Sequence, residues 1–152
     1  MDTNDGVAVQ PAAARAVIDW RTVALASAAG LAAAVAGAAL WAVVTVLSEY
    51  ELGIMAVAVG FMVGKAIMAV AKSAQRIYGI VGAACSLLGC LLGNLLSAVG
   101  YAAPVFKVSY VVLLTHLNID LAGQLMSATF GFMDLLFYAI AIYEGYRFAT
   151  RR

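Results

Sequence analysis

The apolar residues of this chain come in long unbroken runs rather than in the periodic stripes of a water-soluble fold. Four runs are long enough for a membrane-crossing helix, which needs about 20 mostly apolar residues. Because lipid offers the backbone no hydrogen-bond partners, isolated runs of this kind are expected to be helical. The predicted spans are about 22–47, 52–71, 77–99 and 121–148.

The connections between these runs indicate how the spans are arranged. Residues 48–51 and 72–76 form short links, which make sequential helices antiparallel neighbours. The third link breaks at Pro104 and continues as an apolar stretch over about 105–117 that is too short to span. We expect this stretch to be an interfacial helix, with a re-entrant segment as the alternative. The pattern therefore predicts an all-α polytopic membrane protein: four transmembrane helices in an up-down bundle, plus a short interfacial helix.

The first 19 residues differ from the rest and are expected to form a polar cytoplasmic tail ahead of a transmembrane domain over 20–152. Asp2 and Asp5 stand where a secretory signal would have basic residues, so the first apolar run should stay as a membrane helix.

Composition agrees with a membrane location. The chain is 65% hydrophobic and 11% charged, whereas a soluble domain has roughly 25% charged residues. A net charge of +1 provides no basic surface for nucleic acid. The expected partners are the lipid bilayer and other membrane subunits or copies of the chain itself, and no nucleic acid.

Basic residues near the span ends predict the orientation, because cytoplasmic loops carry an excess of Lys and Arg. One side of the predicted bundle has a single basic residue, Lys107, beside the acids Glu49, Glu51 and Asp120. Both termini are therefore expected to be cytoplasmic. The basic residues on the terminal side are Arg15, Arg21, Lys72, Arg76, Arg147, Arg151 and Arg152.

Small residues recur at helical spacing in the predicted spans. Close backbone packing at such stripes is what associates helices in lipid. One interpretation is packing inside a single bundle, and the alternative is that a stripe, above all that of the third span, faces another protomer or subunit. The candidate packing residues are Gly60 and Gly64 in the second span, and Gly82, Ser86, Gly89 and Gly93 in the third.

Charged residues within the spans are costly, at about 2.5–3.5 kcal/mol near the bilayer centre, so each needs a compensating reason. Lys65 is close enough to one boundary to extend its ammonium group to the headgroups. Glu144 is one turn from Arg147 and near the same boundary, where it is either solvated or paired with Lys65 across the second and fourth spans. Asp134 lies deep in the predicted fourth span, where it is either a protonated or hydrogen-bonded structural acid, or an ion or proton site, or a contact to a partner subunit. Its candidate hydrogen-bond partners are Asn94, Gln124, Thr129 and Tyr138.

No arrangement typical of catalysis or of a cofactor or metal site stands out. Cys85 and Cys90 lie in an apolar run, five residues apart and on different helix faces, as small hydrophobic residues do. His116 has too few possible ligands beside it for a metal site. We expect no enzyme activity and no cofactor.

Two stretches resemble small bacterial membrane proteins of uncharacterised families. These are the glycine-spaced residues 51–96 and the aromatic-rich ending 135–146. The resemblance implies the bacterial inner membrane and no known activity. It assigns no functional residue.

Two functions follow from these features. The first is an accessory or scaffold subunit that packs against partner membrane proteins through Gly, Ala and Ser faces. The alternative is a homo-oligomeric ion or proton channel, or a small transporter, that uses Asp134 as its intramembrane site.

Overall fold

The computed structural model describes residues 18–50 and 53–151, which form helices and no strand. The all-α prediction is confirmed for these residues. The predicted tail as far as residue 17 lies outside the described part, as do Glu51, Leu52 and Arg152. The helices are α1 (Trp20–Ser48), α2 (Ile54–Ala71), α3 (Arg76–Val105), α4 (Tyr110–Thr115), α5 (Ile119–Thr129) and α6 (Phe132–Thr150).

By length and composition, α1, α2 and α3 could each cross a membrane, and the number rises to four if α5 and α6 count as one bent span. With 29 and 30 residues, α1 and α3 are about 45 Å long, more than the roughly 30 Å of a hydrocarbon core. The 19 residues of α6 reach about 28 Å but include Asp134, Glu144 and Arg147. Several long apolar helices thus indicate a membrane-spanning protein.

The first helix begins at a side-chain cap. The Asp19 carboxylate accepts hydrogen bonds from the Thr22 hydroxyl at 2.6 Å and from the Arg21 backbone N–H at 3.1 Å. Both bonds favour the charged form, so they lower the pKa of Asp19 below its ordinary value. This cap fixes where the helix starts, two residues before the predicted boundary.

The long helices alternate in direction. Gly30 of α1 lies against Ile67 of α2 and Cys85 of α3, and further along, Gly100 of α3 lies against Val46 of α1. Residue numbers therefore rise together along α1 and α3, so these helices are parallel and α2 runs between them in the opposite direction. We call the end where α1 finishes the Ser48 end.

The last helix packs on α2 and α3, and glycine makes this packing close. A Cβ atom at Gly60 of α2 would be 2.7 Å from the Ala141 carbonyl oxygen, and one at Gly64 would be 3.1 Å from the Gly145 carbonyl oxygen. On α3, a Cβ atom at Gly82 would also clash with the Gly145 carbonyl. Helix α6 thus approaches both neighbours at the level of the backbone.

The small-residue stripe of α3 is used inside the chain. Ser86 is fully buried beside Gly145, Gly89 lies against Val59 and Ala34, and Gly93 lies against the Trp41 ring. The alternative in which this stripe faces another subunit is therefore wrong for α3, because α1, α2 and α6 already cover it.

The predicted fourth span is not one helix. Instead, α5 and α6 meet at an angle of 103° across a break at Phe130 and Gly131. Both residues have extended backbone, and the Gly131 N–H donates to the Asp134 carboxylate at 2.7 Å. This is half of a capping box, which starts a new helix. The prediction of one continuous helix missed the signal given by Gly131 and Asp134.

The segment between the third predicted span and α5 also differs from the prediction. Helix α3 continues to Val105, because Pro104 falls in its last turn and removes only one backbone hydrogen bond there. The expected interfacial helix is reduced to the six residues of α4, capped by Ser109. A small second core joins these elements, formed by Val99, Ala102, Ala103, Leu113, Leu117, Leu121 and Leu125.

Helix α5 packs one side against α3 and exposes polar residues on the other. Leu121 and Leu125 pack toward the end of α3, while Asp120, Gln124 and Ser127 are exposed. Its axis is nearly perpendicular to that of α6.

Replacing Gly60 with Ala should lower the free energy of unfolding by about 1–3 kcal/mol, because the new methyl group meets the Ala141 backbone. Thermal unfolding in detergent measures this change. The matched control is Gly123→Ala in α5, where no atom lies within 4 Å and helix propensity should stabilise by about 0.5–1 kcal/mol. Equal effects of the two variants would contradict the close packing of α6.

Candidate functional site

Lys65 lies on the outer side of the α2–α6 pair. Its ammonium nitrogen is 5.7 Å from the centre of the Phe61 ring and 5.9 Å from that of Phe148. These distances are within the range of a cation–π interaction, which offsets part of the cost of a cation in an apolar place.

Glu144 pairs along its own helix. Its Oε1 atom is 3.4 Å from a guanidinium nitrogen of Arg147, and the Glu144 side chain is 15% exposed. Among the described residues no ion pair joins Glu144 to Lys65. Of the two alternatives for Glu144, the pair with Lys65 is therefore wrong, because the acid pairs with Arg147 one turn away on its own helix.

Asp134 lies at the beginning of α6 rather than deep in a long helix. Its Oδ2 atom accepts the Gly131 N–H, and the residue is half-buried. The break at Gly131 moves the carboxylate to the Ser48 end of the bundle. Asp134 therefore caps α6. The sequence predicted a hydrogen-bonded structural acid but not this capping role.

A cavity of about 410 Å³ lies at the Ser48 end, between α1, α3 and the first turns of α6. It brings together Asp134 and Asn94, two of the candidate polar residues from different spans. It also brings in Thr45 and Ser97, which are polar residues in apolar runs. The sequence reading placed Ser97 only in the small-residue stripe of the third span and did not single out Thr45. The lining residues are Trp41, Thr45, Gly53, Asn94, Ser97, Gly131, Phe132, Met133, Asp134 and Phe137.

Hydrogen bonds hold the polar wall of this cavity in place. The Asn94 amide nitrogen donates to the Tyr138 hydroxyl at 3.1 Å, and Asn94 is 5% exposed. The Ser97 hydroxyl donates to the Gly93 carbonyl at 2.8 Å. The amide nitrogen of Asn94 thus donates to Tyr138 rather than to Asp134. Spacing in the sequence could not distinguish between these two partners.

In the described part of the chain, the remaining candidate groups form no second cluster of this kind. Cys85 and Cys90 are both buried and unbridged. Within residues 18–50 and 53–151, no three His, Cys, Asp or Glu side chains are grouped as metal ligands would be. The cavity is therefore the place where polar groups from several helices converge.

Comparison of the chain with models of protein families, with curated proteins and with solved structures finds no match. Its function is therefore argued from its own residues.

Replacing Tyr138 with Phe should lower the free energy of unfolding by about 1–3 kcal/mol, because the buried Asn94 amide loses a hydrogen-bond partner. Chemical denaturation in detergent measures the change. Tyr143→Phe on the same helix is the control, since Tyr143 is 60% exposed and its ring next to Arg147 is kept. A Tyr138→Phe protein as stable as this control would rule out the proposed role of the bond.

Proposed function

We propose that this chain is a small integral membrane subunit that acts as an accessory or scaffold by associating with other membrane-spanning helices. The proposal is based on the outer face of α1. Ala24, Ala28, Ala32 and Ala36 follow one another at four-residue spacing, and all four are exposed. No helix of the described part covers this face.

Such a face is suited to a partner helix. Between lipid-exposed helices there is no hydrophobic driving force, so association depends on close packing at small residues. Alanines four residues apart form such a strip, and the exposed side chains of Leu25, Leu31 and Val35 flank it. The glycine faces of α2 and α3 are occupied within the bundle, so this strip takes the partner role first assigned to them.

The location is part of the proposal: a bacterial inner membrane, with both termini in the cytoplasm. Support comes from Arg21, Lys72, Arg76 and Arg147, which lie near the helix ends opposite the Ser48 end. A membrane-impermeant thiol reagent added to intact cells should label Ser109→Cys and not Ser73→Cys. The reverse pattern would overturn the orientation.

Replacing Ala32 with Leu should separate the protein from its partners without unfolding it. The matched control is Ala84→Leu, which adds the same bulk to an exposed position of α3. The measurement is the mass and composition of the assembly extracted from the native membrane in a gentle detergent. We expect partners in fixed ratio with the unchanged protein and with Ala84→Leu, and a loss of at least about tenfold with Ala32→Leu.

Recovery of the unchanged protein as a lone monomer would overturn the subunit proposal. Equal assembly of the two leucine variants would overturn the assignment of the contact to α1.

The second candidate is a homo-oligomeric ion or proton channel, or a small transporter, and the Asp134 carboxylate in the cavity wall favours it. Beyond the cavity the bundle interior is filled by Val59, Val63 and Ile67, all fully buried. A path would therefore need several copies of the chain.

Ion flux into liposomes tests this candidate. If the channel proposal holds, the purified protein conducts and Asp134→Asn lowers the flux at least about tenfold, as the loss of a charge at an ion site should. Flux equal to that of empty liposomes would rule out the channel proposal. Flux that Asp134→Asn leaves unchanged would rule out the role of Asp134 in it.

A further inference from the structure

In the described part of the chain, no basic side chain forms an ion pair with the carboxylate that lines the cavity at the Ser48 end. Asp134 lines the cavity, and the salt bridge found in the described part of the chain joins Arg147 to Glu144 instead. One carboxylate oxygen accepts the Gly131 N–H. A carboxylate next to apolar walls, with no ion-pair partner in the described part of the chain, favours a cation nearby.

Aromatic surface lies around this carboxylate. The Trp41 side chain is 4% exposed, lines the cavity and is held against the backbone of α3 at Gly93. Phe137 and Phe132 line the same space. The faces of aromatic rings attract cations, and Trp does so most strongly. The wall thus offers charge and ring surface together.

The neutral polar groups add hydrogen-bonding capacity without adding charge. Asn94 and Ser97 line the cavity. The Asn94 amide nitrogen donates one of its two N–H groups to the Tyr138 hydroxyl, and the Ser97 hydroxyl donates to the Gly93 carbonyl. The oxygen atoms of both side chains can accept a hydrogen bond from an occupant, which suits the N–H group of an ammonium ion.

Size and lining favour an organic cation over a metal ion. Calcium and magnesium take six or more oxygen ligands in a tight shell, whereas this cavity presents one carboxylate and measures about 410 Å³. That volume is within the range of pockets for small organic molecules, about 300–1,000 Å³, which are mostly apolar with a few polar groups. An organic ammonium ion fits both the single charge and the apolar wall.

The cavity also has access from outside the bundle. Gly131, Phe132 and Met133 form part of its lining, and all three are exposed. A ligand would reach Asp134 past the break between α5 and α6 without crossing the packed interior.

We propose that the cavity formed by Trp41, Asn94, Phe137 and Asp134 binds a small organic ammonium ion, with the Asp134 carboxylate as counter-ion and Trp41 as the aromatic wall. This site is separate from the α1 face through which the chain is proposed to assemble, so either proposal stands if the other fails.

The test uses the intrinsic fluorescence of Trp41 in the full chain in nanodiscs. The chain has 2 tryptophans, so Trp20→Phe leaves Trp41 as the reporter. Titration with benzyltrimethylammonium chloride should change Trp41 emission in a saturable way. Benzyl alcohol, which is aromatic but uncharged, controls for partition into lipid and should give no saturable change.

Two acid variants made in the same Trp20→Phe chain locate the site. Asp134→Asn should weaken binding at least about tenfold, because it removes the charge while its amide oxygen can still accept the Gly131 N–H. Asp120→Asn, which removes an exposed acid on α5, should leave binding unchanged. If Asp134→Asn fails to fold, Asp134→Ser replaces it, since Ser also retains an acceptor oxygen.

Three results would overturn the proposal. The first is no saturable change, or the same change with benzyl alcohol. The second is equal binding by the Asp134 and Asp120 variants. The third is displacement by sodium chloride but not by choline chloride at equal ionic strength, which would assign the site to an inorganic cation.

Discussion

The backbone contact of α6 with α2 and α3 is the constraint on which the other features of the bundle depend. Lipid does not drive helices together, so they hold only where their surfaces approach closely enough for extensive van der Waals contact. Gly60, Gly64 and Gly82 remove side chains along the path of α6, and Gly145 does so on α6 itself. Because these contacts fix the rotation and height of α6, they also fix where its charged residues lie.

The acids of α6 are then accommodated by their immediate neighbours. Glu144 is next to Arg147 at the level of the last turns, and Asp134 caps the helix at the first turn. An isolated charge in an apolar environment has a high desolvation free energy. An ion-pair partner one turn away, or a hydrogen bond from a backbone N–H, offsets part of that cost. The cap has a further consequence, since it leaves one face of a carboxylate in the wall of an apolar cavity.

The small residues inside the bundle differ in type from those on the outer face of α1. Glycine lines the inner contacts with α6, and at Gly60, Gly64 and Gly82 even a methyl group would meet the backbone of α6. Alanine lines the outer face of α1. Its methyl group would still allow another helix to pack closely, although not as closely as glycine does. The proposed partner face lies along the outside of α1, and the proposed ligand cavity lies at the Ser48 end. The two proposals can therefore be tested by separate mutations.

The sequence by itself determined the class of protein and the first three long helices, because hydropathy, run length and capping residues are local properties. It also contained the start signal of α6 in Gly131 and Asp134, but a continuous apolar run concealed it. Only the tertiary structure decided which small-residue stripe is internal, that Glu144 pairs with Arg147 rather than Lys65, and that Asn94 and Asp134 line one cavity. Those outcomes depend on the rotation of each helix about its axis, which is set by the fit of neighbouring surfaces and not by any one segment.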